Sequence, residues 1–386
     1  MSSAPDFIYP KNGLPKPDPD VQNSRVKINT AKVKSMDDLT HDTIKLVLEC
    51  DKNSSPLSGK AGQFATIKVE GVRKPRAYSL AKSPKNEKPN EHTFFIRKVP
   101  GGELSTWLDK NHVGEEVTIS GPLGYFGLDN SNDTMVCIAG GSGMSAVNAI
   151  VEEAVALGVE RDCYFFYGAR TKDDLYLIDE MNEIKSSWNK KYKFEFIPVL
   201  SEEPDDSGWD GGRGFVTDYF RDNYLNNGIV DKNSCKAFFC GPPPMIDAGV
   251  KVLIDAGVSE SSMFFDRFED ARSPAPVIDN SRCVLCDECL LVKPTHNCII
   301  EAASLSDKKE NGRYANIQRV DPSMTSGLYY NTLYIDEDEC IRCYACVHAC
   351  PAGAISPQHS LEPITCLLYT SPSPRDVEES RMPSSA

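Results

Sequence analysis

Eight of the fourteen cysteines of this chain fall between positions 283 and 350, and their spacing constrains the fold more than any other feature. Cys283, Cys286 and Cys289 are separated by two residues each, and Cys298 follows after eight more. Cys340, Cys343 and Cys346 repeat the triplet, and Cys350 follows after three residues, with Pro351 behind it. Ile278-Asp279-Asn280-Ser281-Arg282 leads into the first triplet and Ile335-Asp336-Glu337-Asp338-Glu339 into the second, so the segment reads as an internal duplication. Disulfides would be the natural reading in a short secreted protein. In a chain of 386 residues whose first 20 are rich in Pro and Lys and lack an apolar stretch, bound metal is the better one.

Three thiolates at this spacing can wrap three corners of an iron–sulfur cubane, and a remote fourth closes the last corner. In the C-x2-C-x2-C-x3-C-P run of two-cluster bacterial ferredoxins the fourth Cys ligates the other cluster. The second array has that form, so one [4Fe-4S] cluster is expected on Cys283, Cys286, Cys289 and Cys350, and another on Cys340, Cys343, Cys346 and Cys298. Zinc sites pair two C-x2-C knuckles rather than setting three cysteines in series, and no ligand is missing as a [3Fe-4S] centre would require. The first array departs from the compact pattern in its eight-residue gap and in Ile299, which stands where Pro is usual. A cluster takes one electron and a hydride carries two, so a flavin that divides the pair is expected upstream.

The rest of the chain is long enough for two further domains. Residues 26–128 contain short segments (VKINTAKV, TIKLVLEC, FATIKV, HTFFIRKV, EEVTIS) separated by Gly, Pro, Asn and Asp, the pattern of an antiparallel β-barrel. Residues 129–272 alternate apolar strands with helices (TMVCIAG, NAIVEEAVALG, DCYFFYGA, DDLYLIDEMNEI, KFEFIPVL, CKAFFCG, MIDAGVKVLIDAG), which predicts a doubly wound α/β parallel sheet. Cys137 and Cys163, inside two of these runs, are expected to be buried small hydrophobes. Ser273-Pro274-Ala275-Pro276 reads as a linker to a small α+β domain over residues 273–358. Residues 1–25 form an extended segment, and residues 359–386 a tail that from about 366 resembles translated adapter or vector sequence. A net charge of -14 excludes a nucleic-acid binder, and no apolar run is long enough to insert in a membrane, so a cytoplasmic location is expected.

Arg76-Ala77-Tyr78-Ser79 fits R-x-[YF]-[ST], and Gly102-Glu103-Leu104-Ser105-Thr106-Trp107-Leu108 fits G-x-x-S-x-x-L. Gly121-Pro122-Leu123-Gly124-Tyr125-Phe126 fits a closing turn, Gly140-Gly141-Ser142-Gly143 a G-G-x-G loop with Ala146 in place of a common Pro, and residues 240–245 a C-G-P-P-x-M turn. Together these resemble the ferredoxin–NADP reductase superfamily across the first two domains. The resemblance implies that Arg76 meets a flavin phosphate, that Tyr78 packs on the isoalloxazine, and that Ser79 reaches its N5. It implies that Gly102 and Ser105 hold the pyrophosphate, that Gly140, Gly141, Gly143, Gly241 and Pro242 cradle the nicotinamide cofactor, and that Phe268 covers the flavin. FAD is favoured over FMN. Cys240 reads equally as a residue on the hydride path and as a buried structural thiol. Phe264 and Phe265 are expected in the core. Arg170, Thr171 and Lys172 could contact a 2'-phosphate whereas Asp173 and Asp174 oppose one, a balance that favours NADH over NADPH.

The expected activity is hydride transfer from NADH or NADPH to a flavin, followed by single-electron steps through two clusters to an electron-accepting protein. The resemblance extends to reductase components of multicomponent oxygenases, including a benzoyl-CoA epoxidase type that also joins such a ferredoxin to a reductase. A ferredoxin:NAD(P) oxidoreductase and a non-catalytic electron-transfer subunit of a larger complex are the alternatives.

Overall fold

The computed structural model describes residues 26–51, 54, 57, 59–268, 275–294, 297–309, 313–320 and 332–357. The expectations for residues 1–25, 269–274 and 358–386 lie outside the described residues.

Alternation of apolar and polar side chains builds the first unit. In β1 (Lys27–Asp38) Ala31 and Val33 point inward between exposed lysines, and in β2 (Thr43–Cys50) Ile44, Leu46, Leu48 and Cys50 do the same. With β3 (Phe64–Lys68), β4 (Arg76–Ser79), β5 (Glu91–Arg97) and β6 (Glu116–Leu123) they form one antiparallel sheet in the order β4-β3-β6-β1-β2-β5. A bridge between Leu80 and Phe94 joins the two edges, so the sheet is a nearly closed barrel. The Arg76 to Ser79 tetrapeptide is itself a strand, paired from Ser79↔Phe64 to Arg76↔Ile67. Four residues are too few to show a period, and only the pairing reveals the strand. Helix α1 (Glu103–Leu108) lays Leu104 and Leu108 on the barrel core.

The second unit is a parallel sheet of β7 (Thr134–Gly140), β8 (Cys163–Ala169), β9 (Phe194–Leu200), β10 (Gly212–Arg213), β11 (Cys235–Gly241) and β12 (Met263–Arg267) in the order β10-β9-β8-β7-β11-β12. The central strand β7 is buried on both faces, as its unbroken apolar run demands. Helices α2 (Met144–Leu157), α3 (Ile178–Ser187), α4 (Val216–Phe220) and α5 (Pro243–Asp255) cover the sheet. Cys137 and Cys163 are fully buried, and Phe264 stacks on Phe238 at 5.1 Å. One core cluster runs from this sheet into the barrel, joining Phe165, Phe238 and Ile150 to Ala61, Ala81, Phe95 and Phe126. Asn148 Nδ2 donates to the Ala81 carbonyl at 2.8 Å and Ser145 Oγ to the Phe95 carbonyl at 3.2 Å, so α2 locks the two units together. Each such buried bond is worth about 1 kcal/mol.

The third unit holds both cysteine arrays. β13 (Pro276–Ile278) pairs with β17 (Ile355–Pro357), and β14 (Ile299–Lys308), β15 (Tyr314–Arg319) and β16 (Thr332–Ile335) form a second small sheet. The β14–β15 hairpin between the arrays was not legible in the sequence, because its residues beyond Ala302 are mostly polar and exposed. Short helices α6 (Glu288–Leu291) and α7 (Ala345–Ala349) follow the two cysteine loops. The duplication extends to the backbone. Leu285 and Asp287 have φ of 53° and 62°, and Arg342 and Tyr344, at equivalent places, have 58° and 56°.

Candidate redox sites

β4 ends at Ser79 on the barrel wall, and β11 and β12 bring Cys240 and Asp266 side by side as register partners. Ser79 Oγ donates to Asp266 Oδ2 at 3.2 Å, and the Cys240 thiol faces the same oxygen at 3.9 Å. Ser79 and Cys240 are buried. Burial pushes the Asp266 carboxyl up to about 7, opposed by its bonds from Ser79 and Cys240. Burial, then the Asp266 charge, also holds the Cys240 thiol well above its ordinary range, so it stays protonated. A hydroxyl, a thiol and a carboxylic acid from two units thus converge on one point. Asp266 was missed in the sequence. It lies in the MFFDRF segment two residues before Phe268, which is half-buried and whose N–H donates to the Gly241 carbonyl at 3.2 Å.

The two glycine segments interlock. A Cβ on Gly143 would lie 2.0 Å from the Cys240 carbonyl oxygen, and one on Gly140 would lie 2.7 Å from Met245 Sδ and 3.2 Å from Pro242 Cδ. Gly241, at φ +144°, packs 3.0 Å from the Gly140 carbonyl oxygen by the same measure, and Gly141 faces open space. A 3-10 turn over Gly141–Gly143, with no side-chain cap, leads into α2, whose Met144 N–H donates to the Gly141 and Ser142 carbonyls, so the uncapped end that an anion would meet is the glycine turn itself. Pro242 caps α5. The cradle lies at the carboxyl ends of β7 and β11, where ligands of open parallel sheets bind.

On the barrel, Arg76 donates to the Lys74 and Pro75 carbonyls and pairs with Glu103 at 3.1 Å. Ser79 lies three residue steps further on, about 10 Å along a strand, a span suited to a flavin ring at Ser79 and a phosphate at Arg76. Tyr78 packs against the barrel core. Gly102 is the N-cap of α1, and a Cβ there would meet Ser105 Oγ at 3.0 Å. Ser105 Oγ accepts the Val99 N–H at 2.7 Å, which leaves its own proton to donate. The positive groups, the small residues and the uncapped helix fit a flavin and a dinucleotide.

Cys283, Cys286, Cys289 and Cys350 line one pocket with Ile278, Leu333 and Ile355. The Cys289 thiol is pushed up to about 12, first by burial and then by Cys283, Cys350 and Cys286. Cys343 is likewise raised to about 12 by burial and by Cys340 and Cys298, and Cys346 is raised by burial and by Cys343, Cys340 and Cys298, with a smaller contribution from Cys289 of the first array. Cys283, Cys286, Cys289 and Cys350 thus share one pocket, with Cys350 supplied from the other half, and Cys340, Cys343, Cys346 and Cys298 lie near enough to influence one another. No described cysteine is in a disulfide. Soft donors in fours, held in apolar surroundings, fit iron–sulfur clusters.

A chain with this barrel, this parallel sheet and these thiols is a flavin- and nicotinamide-binding oxidoreductase with an iron–sulfur unit. Residues 30–127 match the oxidoreductase FAD-binding domain, residues 137–251 the oxidoreductase NAD-binding domain, and residues 333–356 the 4Fe-4S binding domain. The chain is 37% identical over 231 residues to the xylene/toluene monooxygenase electron transfer component of Pseudomonas putida, spanning 60% of this chain and 62% of that one. It is 31% identical over 260 residues to the reductase component of phenol 2-monooxygenase from Pseudomonas sp. strain CF600, spanning 67% and 70%. The ferredoxin reductase of carbazole 1,9a-dioxygenase superposes with a TM-score of 0.55 at 30% identity, covering 64% of this chain and 71% of that one. The chain belongs to the ferredoxin–NADP reductase family of FAD- and NAD-binding oxidoreductases. Among the described residues no helix is long and apolar enough to cross a membrane.

Proposed function

We propose that this protein is a cytoplasmic reductase that oxidises NADH on FAD and delivers electrons singly, through two [4Fe-4S] clusters, to an oxygenase component. The observation that carries the reading is the pocket lined by Cys283, Cys286, Cys289 and Cys350, on a chain that repeats the thiol triplet at Cys340, Cys343 and Cys346 and also joins Ser79 to Cys240 and Asp266. Bound FAD would take the hydride from the nicotinamide, and the clusters would store single electrons. Arg76, Gly102 and Ser105 hold the flavin phosphates. Ser79 orients the flavin edge, Cys240 and the glycine cradle seat the nicotinamide, and Phe268 shields the flavin face. Burial raises the Asp266 carboxyl to about 7 and so lessens, at and below neutral pH, the negative charge it would place beside Ser79 on the path of a hydride. Thiols in this number stay reduced in the cytoplasm.

NADH is favoured by where the nearby cations are spent. Arg170 lies 3.9 Å from Asp42 and 3.7 Å from Asp174, and Lys172 Nζ lies 3.3 Å from Glu203 and donates to the Ser207 carbonyl. A 2'-phosphate would have to displace carboxylates to reach them. Anaerobic titration of the reconstituted protein with NADH tests the proposal. Flavin and cluster absorbance both bleach if it holds, and a bleached flavin beside oxidised clusters refutes it. Transfer onward to a purified oxygenase encoded beside the gene tests the acceptor.

A further inference from the structure

The duplicated cysteine loops share a backbone and differ in surroundings. In the first, Val284 is 67% exposed, Leu285 is 37% exposed, and Cys286 is exposed. In the second, the equivalent Ile341, Arg342 and Cys343 are half-buried, and Tyr344 and Ala345 are buried where Asp287 and Glu288 are half-buried. The cover is the barrel. Phe64 and Leu123 of β3 and β6 form an apolar cluster with Ala345, and Cys343 packs against it as the one array thiol there, beside Val292, which follows the first array. Tyr125, in the turn after β6, rests on His348 of α7 at 5.6 Å between ring centres. Arg73, just before β4, pairs with Glu339 at 3.2 Å. No thiol of the first array shares that cluster, and their pocket is lined only by the third unit's residues.

We infer that the two arrays are not interchangeable: the second loop, Cys340 to Cys346, is the one that receives electrons from the flavin barrel, and the first, Cys283 to Cys289, is the one that hands them to an outside acceptor. The inference rests on both arrays holding clusters, as proposed above. One NADH yields NAD+, a proton and two electrons, so one turnover charges each array once. The covered loop lies on the same barrel wall as β4, whose Ser79 marks the flavin edge. The bare loop presents a thiolate and two apolar side chains to solvent, where an acceptor protein can approach.

Cys283→Ala and Cys343→Ala, reconstituted anaerobically with iron and sulfide, separate the roles. Stopped-flow absorbance and freeze-quench electron paramagnetic resonance after mixing with NADH give the readout. In Cys283→Ala the second-array signal should develop at the wild-type rate with the first-array signal lost. In Cys343→Ala the first-array cluster should remain reducible by dithionite but respond to NADH about tenfold more slowly or worse. Wild-type NADH reduction of that cluster in Cys343→Ala overturns the order. Should Cys343→Ala not fold, Tyr125→Glu, which leaves every cysteine in place and sets a carboxylate near Glu288, should slow cluster bleaching about tenfold while flavin bleaching is unchanged. An unchanged cluster rate there also overturns it. Iron and sulfide analysis of the wild type distinguishes the failures: the content of two cubanes with the wrong order refutes the order alone, and less iron refutes the proposed function with it.

Discussion

Asp266→Asn measures how far the barrel and the parallel sheet bury a carboxyl between them. The side chain carries an ordinary value of 3.8 up to about 7 because burial disfavours its charged form. The folded state therefore holds the proton more tightly than the unfolded chain does, and stability falls as pH rises from about 4 to about 7. At 1.36 kcal/mol for each tenfold change in proton affinity, the loss above pH 7 approaches roughly 4 kcal/mol. Residual solvent contact of the half-buried side chain makes that figure a ceiling. Asn has nothing to ionise. Urea denaturation of the flavin-free protein, followed by circular dichroism between pH 4 and pH 9, should show the two proteins nearly equal at the acid end. By pH 8 Asp266→Asn should be the more stable, by at least about 2 kcal/mol. Parallel curves across the whole range would mean that the carboxyl titrates normally, and the neutral acid beside Ser79 would have to be abandoned.

Gly143→Ala places a methyl group 2.0 Å from the Cys240 carbonyl oxygen and should cost about 1–3 kcal/mol or more in stability while weakening NADH binding, checked by melting and by fluorescence titration. Arg76→Ala should leave stability almost unchanged, since its partner Glu103 is exposed, and should lower retained flavin by about tenfold or more on dilution. Asp42→Asn combined with Glu203→Gln removes one of the two carboxylates beside Arg170 and the one beside Lys172, and should raise kcat/KM for NADPH by about tenfold relative to NADH, an effect that added salt erases. Arg313, buried with its guanidinium among the Ala275 carbonyl, the Ile335 carbonyl and Glu337, adds positive charge felt by Cys340. Arg313→Gln should lower the potential of the second-array cluster by roughly 60 mV in a potentiometric titration, with Arg313→Lys restoring most of it.

What could be read from the sequence was chemistry that requires fixed residue types at short spacing. The thiol triplets and the glycines at 140, 141 and 143 are of that kind, and the strand periods of β1 and β2 follow from one-sided burial. Asp266 was hidden because its meaning depends on Ser79, which lies 187 residues away, and on the β11–β12 register that sets it beside Cys240. Glu203 and Asp42 were hidden for the same reason, since Lys172 and Arg170 look like free cations until the fold supplies their partners. The hairpin that brings Arg313 into the third unit is polar along most of its length, so it carried no burial pattern to find.

The barrel links the other two units because their contacts fall on it in different places. Its β5 and the stretch after β4 bind the first turns of α2 through Phe95 and Ala81, which fixes the glycine cradle relative to Ser79. Its β3 and β6 carry Phe64 and Leu123 against Ala345. Strand β4 adjoins β3 in the sheet and ends at Ser79, whose ladder partner is Phe64 itself. The residue that marks the flavin edge and the residue that touches the second cysteine loop are therefore cross-strand neighbours, with Cα atoms about 5 Å apart. Covalent fusion adds to this by holding the iron–sulfur unit at a high effective concentration, so even a small contact stays formed between turnovers. A short path from hydride acceptor to single-electron carrier is then a property of one β-ladder, and any substitution that shifts the β3–β4 register should disturb both ends of it together.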